Sequence, residues 1–325
     1  MTVTDRVDFF IMGSERSGTT VTGVTLDQMP DICAVQATMV ITRLNNLWTM
    51  IRKVVEQGGV IEGVGGEHCD DFAEFLRDTR PTPFLHRCLF NFCFYENLVN
   101  SARSDVTKDV MSQKAYVEAF DFDRYMARFE EGDGTWASTV AAMYSEFASA
   151  TGSDGIVFGE QTPDNSLYIP GIMELFPKAR FIFMVRHPIT GVASLMDRYG
   201  DLDYCVRQYR TAFAHFPFSD KAAMDRTLFV KFEDLLRGRD TIINHIRNFV
   251  GLEPLEPGAG TTTHDAKMFA RYVGNSLTLD RYYRSLEKIP DDVRVSIYEK
   301  NNDIAGTFYS EDETRVILGH KARAA

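Results

Sequence analysis

Two groups of residues have the types and spacing needed to hold a multiply charged anion. The first is Gly13-Ser14-Glu15-Arg16-Ser17-Gly18-Thr19-Thr20. Its glycines let the backbone curl until several N–H groups converge on one point. Ser17, Thr19 and Thr20 add hydroxyl donors, and Arg16 adds a fixed positive charge. A helix starting here would turn its positive dipole end towards the same point. Without a ligand, the same residues make a glycine turn capped by threonines. The second group is Arg186 and Ser194, eight positions apart. An arginine at the end of an apolar run offers a forked donor, and the serine lies two helical turns further on. The alternative is an ordinary strand exit followed by a helix that starts at Pro188.

The elements around these groups decide whether they can cooperate. Val7–Met12 is an apolar run of the kind that forms a buried parallel strand. A helix is expected from Gly18 to about Gln28, ended by Met29-Pro30, and a second strand at Ile32–Val35. From about 40 to 153 the pattern is helical. Phe122-x2-Tyr125-Met126-x2-Phe129 and Val140-x2-Met143-Tyr144-x2-Phe147 have helical spacing, Glu130–Thr135 reads as the loop between them, and Asp70–Leu76 and Phe84–Leu98 are less regular. Alternation then resumes. Strands are expected at Gly155–Gly159, Ala179–Val185 and Leu228–Lys231. Helices are expected from Ser166 to Phe176, kinked at Pro170-Gly171, and from Pro188 to Tyr199. A third is capped by Asp240, with Ile242, Ile246, Phe249 and Val250 on its apolar face and Gly251 past its end. The tail after Thr314 reads as an edge element or as unstructured. Together these give one α/β domain over residues 1–325, a parallel sheet flanked by helices with a helical insertion at about 40–153 that shapes a pocket.

Composition narrows the partners. The chain has 325 residues, 44% of them hydrophobic, and a net charge of -11, which supplies no cationic face for nucleic acid. The acidic balance favours neutral or cationic partners. Five cysteines at irregular intervals suit a reducing compartment. No stretch reaches the roughly 18 apolar residues of a membrane span. A cytoplasmic protein without a membrane partner is the expectation. His68, Cys69, His86, Cys88 and Cys93 match no common metal-ligand spacing, so no metal is expected. The aromatics of Phe90–Tyr95 suit core packing or the lining of a substrate pocket.

The first loop has the spacing of the phosphate-binding pattern G-x-x-x-x-G-K-S/T, but Thr19 stands where a nucleoside triphosphate site needs lysine. It resembles instead the 5′-phosphosulfate loop of sulfotransferases that use PAPS (3′-phosphoadenosine 5′-phosphosulfate), in the P-R-S-G-T-T form of tyrosyl-protein and bacterial enzymes. Phe181–Val185 leading into Arg186 and Ser194 is similar to that family's 3′-phosphate segment. Val230–Leu236 resembles its Y-E-D-L segment, and Phe158–Pro163 its W-G-E-K-T-P segment. The likeness covers roughly 7–40 and 155–255. It implies a P-loop-like fold and sulfuryl transfer from PAPS to a hydroxyl or amine of a small molecule, with release of PAP and no need for metal. Ser14, Glu15, Arg16, Ser17, Gly18, Thr19 and Thr20 would hold the 5′ end, and Arg16 would also stabilise the departing oxygen. Arg186 and Ser194 would hold the 3′-phosphate. Arg271 and Gly274, in a basic stretch followed by Arg281-Tyr282-Tyr283, would close over the nucleotide.

Three positions depart from the family. Gln161 replaces the lysine of the E-K-T-P segment, Phe232 replaces the tyrosine of Y-E-D-L, and Ala37 stands where tyrosyl-protein enzymes place a glutamate base. A base is therefore sought at His68, in the acidic run Glu67–Asp71, or at Glu160. Each also has a plainer reading, as a solvated turn and as a structural carboxylate. The acidic run favours a cationic acceptor. An ATP-dependent P-loop kinase and a nucleotide-binding protein without turnover are the competing readings.

Overall fold

The structure, a computed structural model, describes residues 7–62, 64, 71–102, 120–151, 155–256 and 279–319. Five short apolar runs form strands: β1 (Phe9–Gly13), β2 (Ile32–Gln36), β3 (Val157–Gln161), β4 (Arg180–Val185) and β5 (Thr227–Lys231). They pair in parallel in the order β2-β3-β1-β4-β5. Successive residues enter opposite cores, as the twofold period of a strand requires. Phe10, Met12, Val35, Phe181 and Phe183 face one apolar cluster, and Phe9, Ile11, Ile32, Ile182 and Met184 face the other. Because both faces are covered, the strands read as unbroken apolar runs rather than as alternation.

The first strand is followed by α1 (Thr19–Asp27). Between β2 and β3 come α2 (Val40–Glu56), α3 (Phe72–Asp78), α4 (Pro83–Ala102), α5 (Phe122–Glu131) and α6 (Trp136–Thr151). A 3-10 turn (Pro163–Leu167) and α7 (Ile169–Leu175) follow β3, and α8 (Pro188–Tyr199), α9 (Leu202–Ala214) and α10 (Lys221–Asp225) follow β4. After β5 come α11 (Phe232–Arg237) and α12 (Arg239–Phe249), then α13 (Leu279–Glu287), α14 (Asp291–Glu299), α15 (Asn302–Phe308) and α16 (Glu311–Leu318). No helix among the described residues is long and apolar enough to cross a membrane.

The α/β expectation and the parallel sheet hold, and several local expectations change. The helix expected over Ser166–Phe176 splits, because the chain first makes the 3-10 turn and Pro170 then sits in the first turn of α7, where its missing N–H costs nothing. The irregular Asp70–Leu76 stretch contains α3, for which the Asp71 carboxylate accepts the N–H groups of Ala73 and Glu74. Asp240 lies inside the first turn of α12 rather than at its cap, which is Gly238. The described part of the tail, up to Gly319, is helical: Ser310 and Glu313 form a reciprocal capping box that starts α16.

The topology has a switch point at β1. The chain leaves β1 towards β2 on one side, while β4 returns on the other, so a crevice opens beyond the carboxyl end of β1. The exit of β2 into that crevice is strained. Ala37 and Met39 take left-handed φ values of 51° and 60°, at about 1–2 kcal/mol each for a non-glycine residue. Glu160 of β3 holds the turn in place. Its Oε1 accepts the hydroxyls of Thr38 (2.8 Å) and Thr162 (2.5 Å), and its Oε2 accepts the Asn165 amide. The Ala37 N–H donates to the Gln161 carbonyl at 2.5 Å.

Glu160 is wholly buried, and burial pushes its pKa up to about 7 against the lowering effect of its hydrogen bonds to Thr162, Thr38 and Asn165. A raised carboxyl pKa means that the folded state binds the proton more tightly than the unfolded chain. Its stabilising contribution is therefore present below the ordinary value of 4.5 and is lost as pH rises towards 7. Glutamine fits the same site, since its carbonyl can accept from Asn165 while its NH2 donates to the two hydroxyls. Glu160→Gln is expected to flatten the fall in melting temperature between pH 4.5 and 7. A melt series in which variant and wild type keep the same slope would remove Glu160 as the titrating group.

Candidate active site

The site is assembled from the ends of all five strands. Arg16 follows β1, Thr38 follows β2, Gln161 closes β3, Arg186 follows β4, and Phe232 and Glu233 follow β5. The loop after β1 is tightly determined. Gly13 has φ 140°, and a Cβ there would lie 2.3 Å from the Met184 carbonyl oxygen across the β1–β4 pair. Gly18 has φ 95°, and a Cβ there would strike the Phe232 ring at 2.3 Å. Only glycine meets both demands. Arg16 also takes a left-handed φ, 67°, at the tip of the loop.

The hydrogen bonds sort the loop residues by task. The Ser17 N–H and hydroxyl both donate to the Ser14 carbonyl, at 3.1 and 2.5 Å, so Ser17 shapes the loop and its hydroxyl proton is already placed. The Glu15 carboxylate turns towards α8, accepting Arg198 Nη1 at 2.6 Å and the Tyr199 hydroxyl at 2.8 Å. Gly18 caps α1 without a side-chain hydrogen bond, so no local side chain competes for the first amides of the helix. Thr19 is buried, Thr20 is half-buried and Arg16 is exposed.

Arg186 leaves β4 almost fully buried, 7% exposed. Its Nη1 donates to the Arg16 carbonyl (3.0 Å) and its Nε to Thr190 Oγ1 (3.2 Å). Its guanidinium lies 5.1 Å from the centre of the Phe232 ring and 5.2 Å from that of Tyr282. Arg16 Nε in turn donates to Ser194 Oγ at 3.2 Å. The two candidate anion sites therefore share a wall. Neither arginine forms an ion pair among the described residues. Burial lowers the Arg186 pKa and the neighbouring Arg16 lowers it further, while Tyr282 and Glu233 oppose them.

The remaining sequence candidates divide cleanly. His68, Arg271 and Gly274 lie outside the described residues. Glu160 is present at the crevice, but both of its oxygens are engaged. Gln161 is fully buried, and neither amide atom has a hydrogen-bond partner. His187 is a helix cap: its Nδ1 accepts the Ile189 N–H, so Nε2 donates to Thr314 Oγ1. Burial holds its pKa down to about 3, and the ring stays neutral. His86 packs in the helical insertion, stacked 4.1 Å from Phe129.

Two groups escaped the sequence reading. Asp164, on the 3-10 turn, is exposed to solvent, yet surrounding protein raises its pKa, as does the charge on Glu15, with Arg43 acting the other way. Glu233, 2% exposed, accepts from the His187 N–H (3.0 Å), the Tyr282 hydroxyl and the Tyr309 hydroxyl (2.7 Å). Glu233 and Asp234 are adjacent acids whose different burial no local pattern announces.

Comparison with known proteins gives the chemistry a class. Solved structures that align with the chain include sulfotransferase STF9 from Mycobacterium avium, at 16% identity over 94% of this chain and 77% of that one, with a TM-score of 0.39. The sulfotransferase domain of the Synechococcus PCC 7002 olefin synthase aligns at 17% identity over 88% and 97%, with a TM-score of 0.44. The sulfotransferase from Alicyclobacillus acidocaldarius aligns at 14% over 95% and 99%, with a TM-score of 0.41. These scores are too low to support an argument by themselves. No curated protein matches the chain. A family model does match, over residues 8–257, which takes in the loop after β1, all five strands, Arg186, Ser194 and Glu233: the chain belongs to the Sulfotransferase family, whose members transfer a sulfuryl group from a donor to an acceptor.

Proposed function

We propose that the donor is PAPS, with its 5′-phosphosulfate on the Gly13–Thr20 loop and its 3′-phosphate on Arg186 and Ser194. The observation that carries this reading is the contact between two arginines: Arg186 Nη1 donates to the Arg16 backbone carbonyl, Arg16 Nε donates to Ser194 Oγ, and neither guanidinium is in an ion pair among the described residues. Two like charges held together beside the amino end of α1 favour an anion with phosphate at two points. A nucleoside triphosphate fits less well, because Thr19 takes the place of the lysine that would reach its outer phosphates.

The donor supplies an activated sulfuryl group. The acceptor oxygen or nitrogen forms the new bond to sulfur while the bridging S–O bond breaks, and its electron pair leaves on the 5′-phosphate of PAP. Arg16, exposed at the loop tip, stabilises that oxygen. Gln161 brings an amide donor but no charge, so Arg16 carries the electrostatic task without a lysine beside it. For the proton, Asp164 is the better-placed carboxyl: it is open to solvent, three residues beyond Gln161, and its raised pKa suits a base. Glu160 serves to hold the β2 exit. The helical segment between β2 and β3 walls the acceptor pocket, and the acceptor is a small molecule with a hydroxyl or amine, a cationic one being favoured by Asp164 and by the acidic run at 67–71. The four described cysteines are all free, which supports a reducing, cytoplasmic setting.

Calorimetric titration separates the donor readings: PAP is expected to bind without metal, and tight binding of ATP with magnesium but not of PAP would overturn the proposal. Arg16→Ala is expected to cut turnover of labelled PAPS by about 100-fold while changing PAP affinity little, and Arg186→Ala to weaken PAP about tenfold or more. Negligible effects from both contradict the site. Asp164→Asn is expected to lower turnover by roughly 100-fold or more with PAP binding retained. Full activity in that variant, together with loss in His68→Ala, would move the base to His68.

A further inference from the structure

We propose that Glu233 is a positioning residue for the donor site, fixing through Tyr282 and Tyr309 the geometry with which Arg186 reads a 3′-phosphate. The proposal rests on the PAPS reading above and assigns a role to a carboxylate that touches no ligand-facing atom.

Glu233 lies at the end of β5, next to the β4 exit that carries Arg186, as the pairing of Val185 with Lys231 dictates. One carboxylate oxygen accepts two donors: the His187 N–H, which fixes the backbone immediately after Arg186, and the Tyr282 hydroxyl from α13. The other oxygen accepts the Tyr309 hydroxyl, from the turn between α15 and α16. Tyr282 is thereby pinned with its ring beside the Arg186 guanidinium and next to Phe232, the two ring centres being 6.2 Å apart. The Tyr282 hydroxyl also lies 3.0 Å from Thr190 Oγ1, the atom that receives Arg186 Nε. A guanidinium flanked by two adjoining rings, with two of its donors directed, presents its remaining edge in one orientation.

The arrangement also answers the departure at Phe232. In place of a hydroxyl on that residue, the ring closes against Gly18 with its centre 5.1 Å from the Arg186 guanidinium, and a hydroxyl arrives from Tyr282 on a separate element. The negative charge of Glu233 acts on Arg186 across the ring, favouring the charged guanidinium that burial disfavours. The carboxylate itself does not pair with the arginine, so the donor edge stays available to an anion.

A residue that merely stabilised the fold would weaken every ligand together. A residue that positions Arg186 affects only ligands with a 3′-phosphate. The test is therefore calorimetric titration of adenosine 3′,5′-bisphosphate and adenosine 5′-monophosphate into wild type, Glu233→Gln, Tyr282→Phe, Tyr309→Phe and Arg186→Ala. Wild type is expected to prefer the bisphosphate. Glu233→Gln and Tyr282→Phe are expected to reduce that preference by about tenfold, the scale of one charged hydrogen bond, with the monophosphate affinity unchanged. Adding Glu233→Gln to Arg186→Ala is expected to reduce the preference no further. Equal weakening of both ligands, or an undiminished preference, overturns the positioning role while leaving the donor assignment in place. A wild type that binds no bisphosphate overturns both. Should Glu233→Gln fail to fold, the two tyrosine variants, each lacking one hydroxyl but keeping its ring, decide the question.

Discussion

The candidate site depends on two arginines that the protein brings into contact and that form no ion pair among the described residues. Arg186 is buried, and the nearby charge on Arg16 adds repulsion. Desolvating a charge costs free energy unless it is paired or hydrogen-bonded. Much of the surrounding architecture can be understood as offsetting that cost before any ligand arrives. The Arg16 carbonyl and Thr190 accept from the guanidinium, two aromatic faces cover it, and Glu233 contributes a negative charge at one remove. Arg186 is thus oriented by the protein's own groups rather than left for a ligand to order.

Two buried glutamates organise the two sides of this crevice in the same way. Glu160 gathers Thr38, Thr162 and Asn165, and so fixes the strained exit of β2. Glu233 gathers His187, Tyr282 and Tyr309, and so fixes the exit of β4. Each is an acceptor with several lone pairs, satisfied by hydroxyls and amides rather than by a cation. The functional side chains stand on loops, and these carboxylates make those loops rigid.

Much of this was legible in the sequence. The apolar runs at Phe9–Gly13 and Arg180–Val185 could be read as buried strands because both of their faces meet protein. Gly13, Arg16, Gly18, Arg186 and Ser194 could be read because the backbone geometry and the charge they supply are tied to residue type. What could not be read depends on long-range placement. Nothing near Glu233 distinguishes it from Asp234 until Tyr282 and Tyr309 fold against it, about 50 and 75 residues later. Asp164 carries no pattern of its own in the sequence, and its environment comes from the protein packed around it, with Glu15 and Arg43 nearby. The opposite error occurred at α16, where the Ser310–Glu313 capping box was present in the sequence and went unread because the segment lies so near the end of the chain.

The sheet and the anion site are completed at different points along the chain. All five strands have been synthesised once Lys231 leaves the ribosome, but the ring that covers Arg186 and the second hydroxyl on Glu233 belong to the segment 279–319. The α/β scaffold is thus encoded upstream of the residues that finish the wall around Arg186, so a chain cut after α12 would keep all five strands and lose the ring and the two hydroxyls gathered beside that arginine.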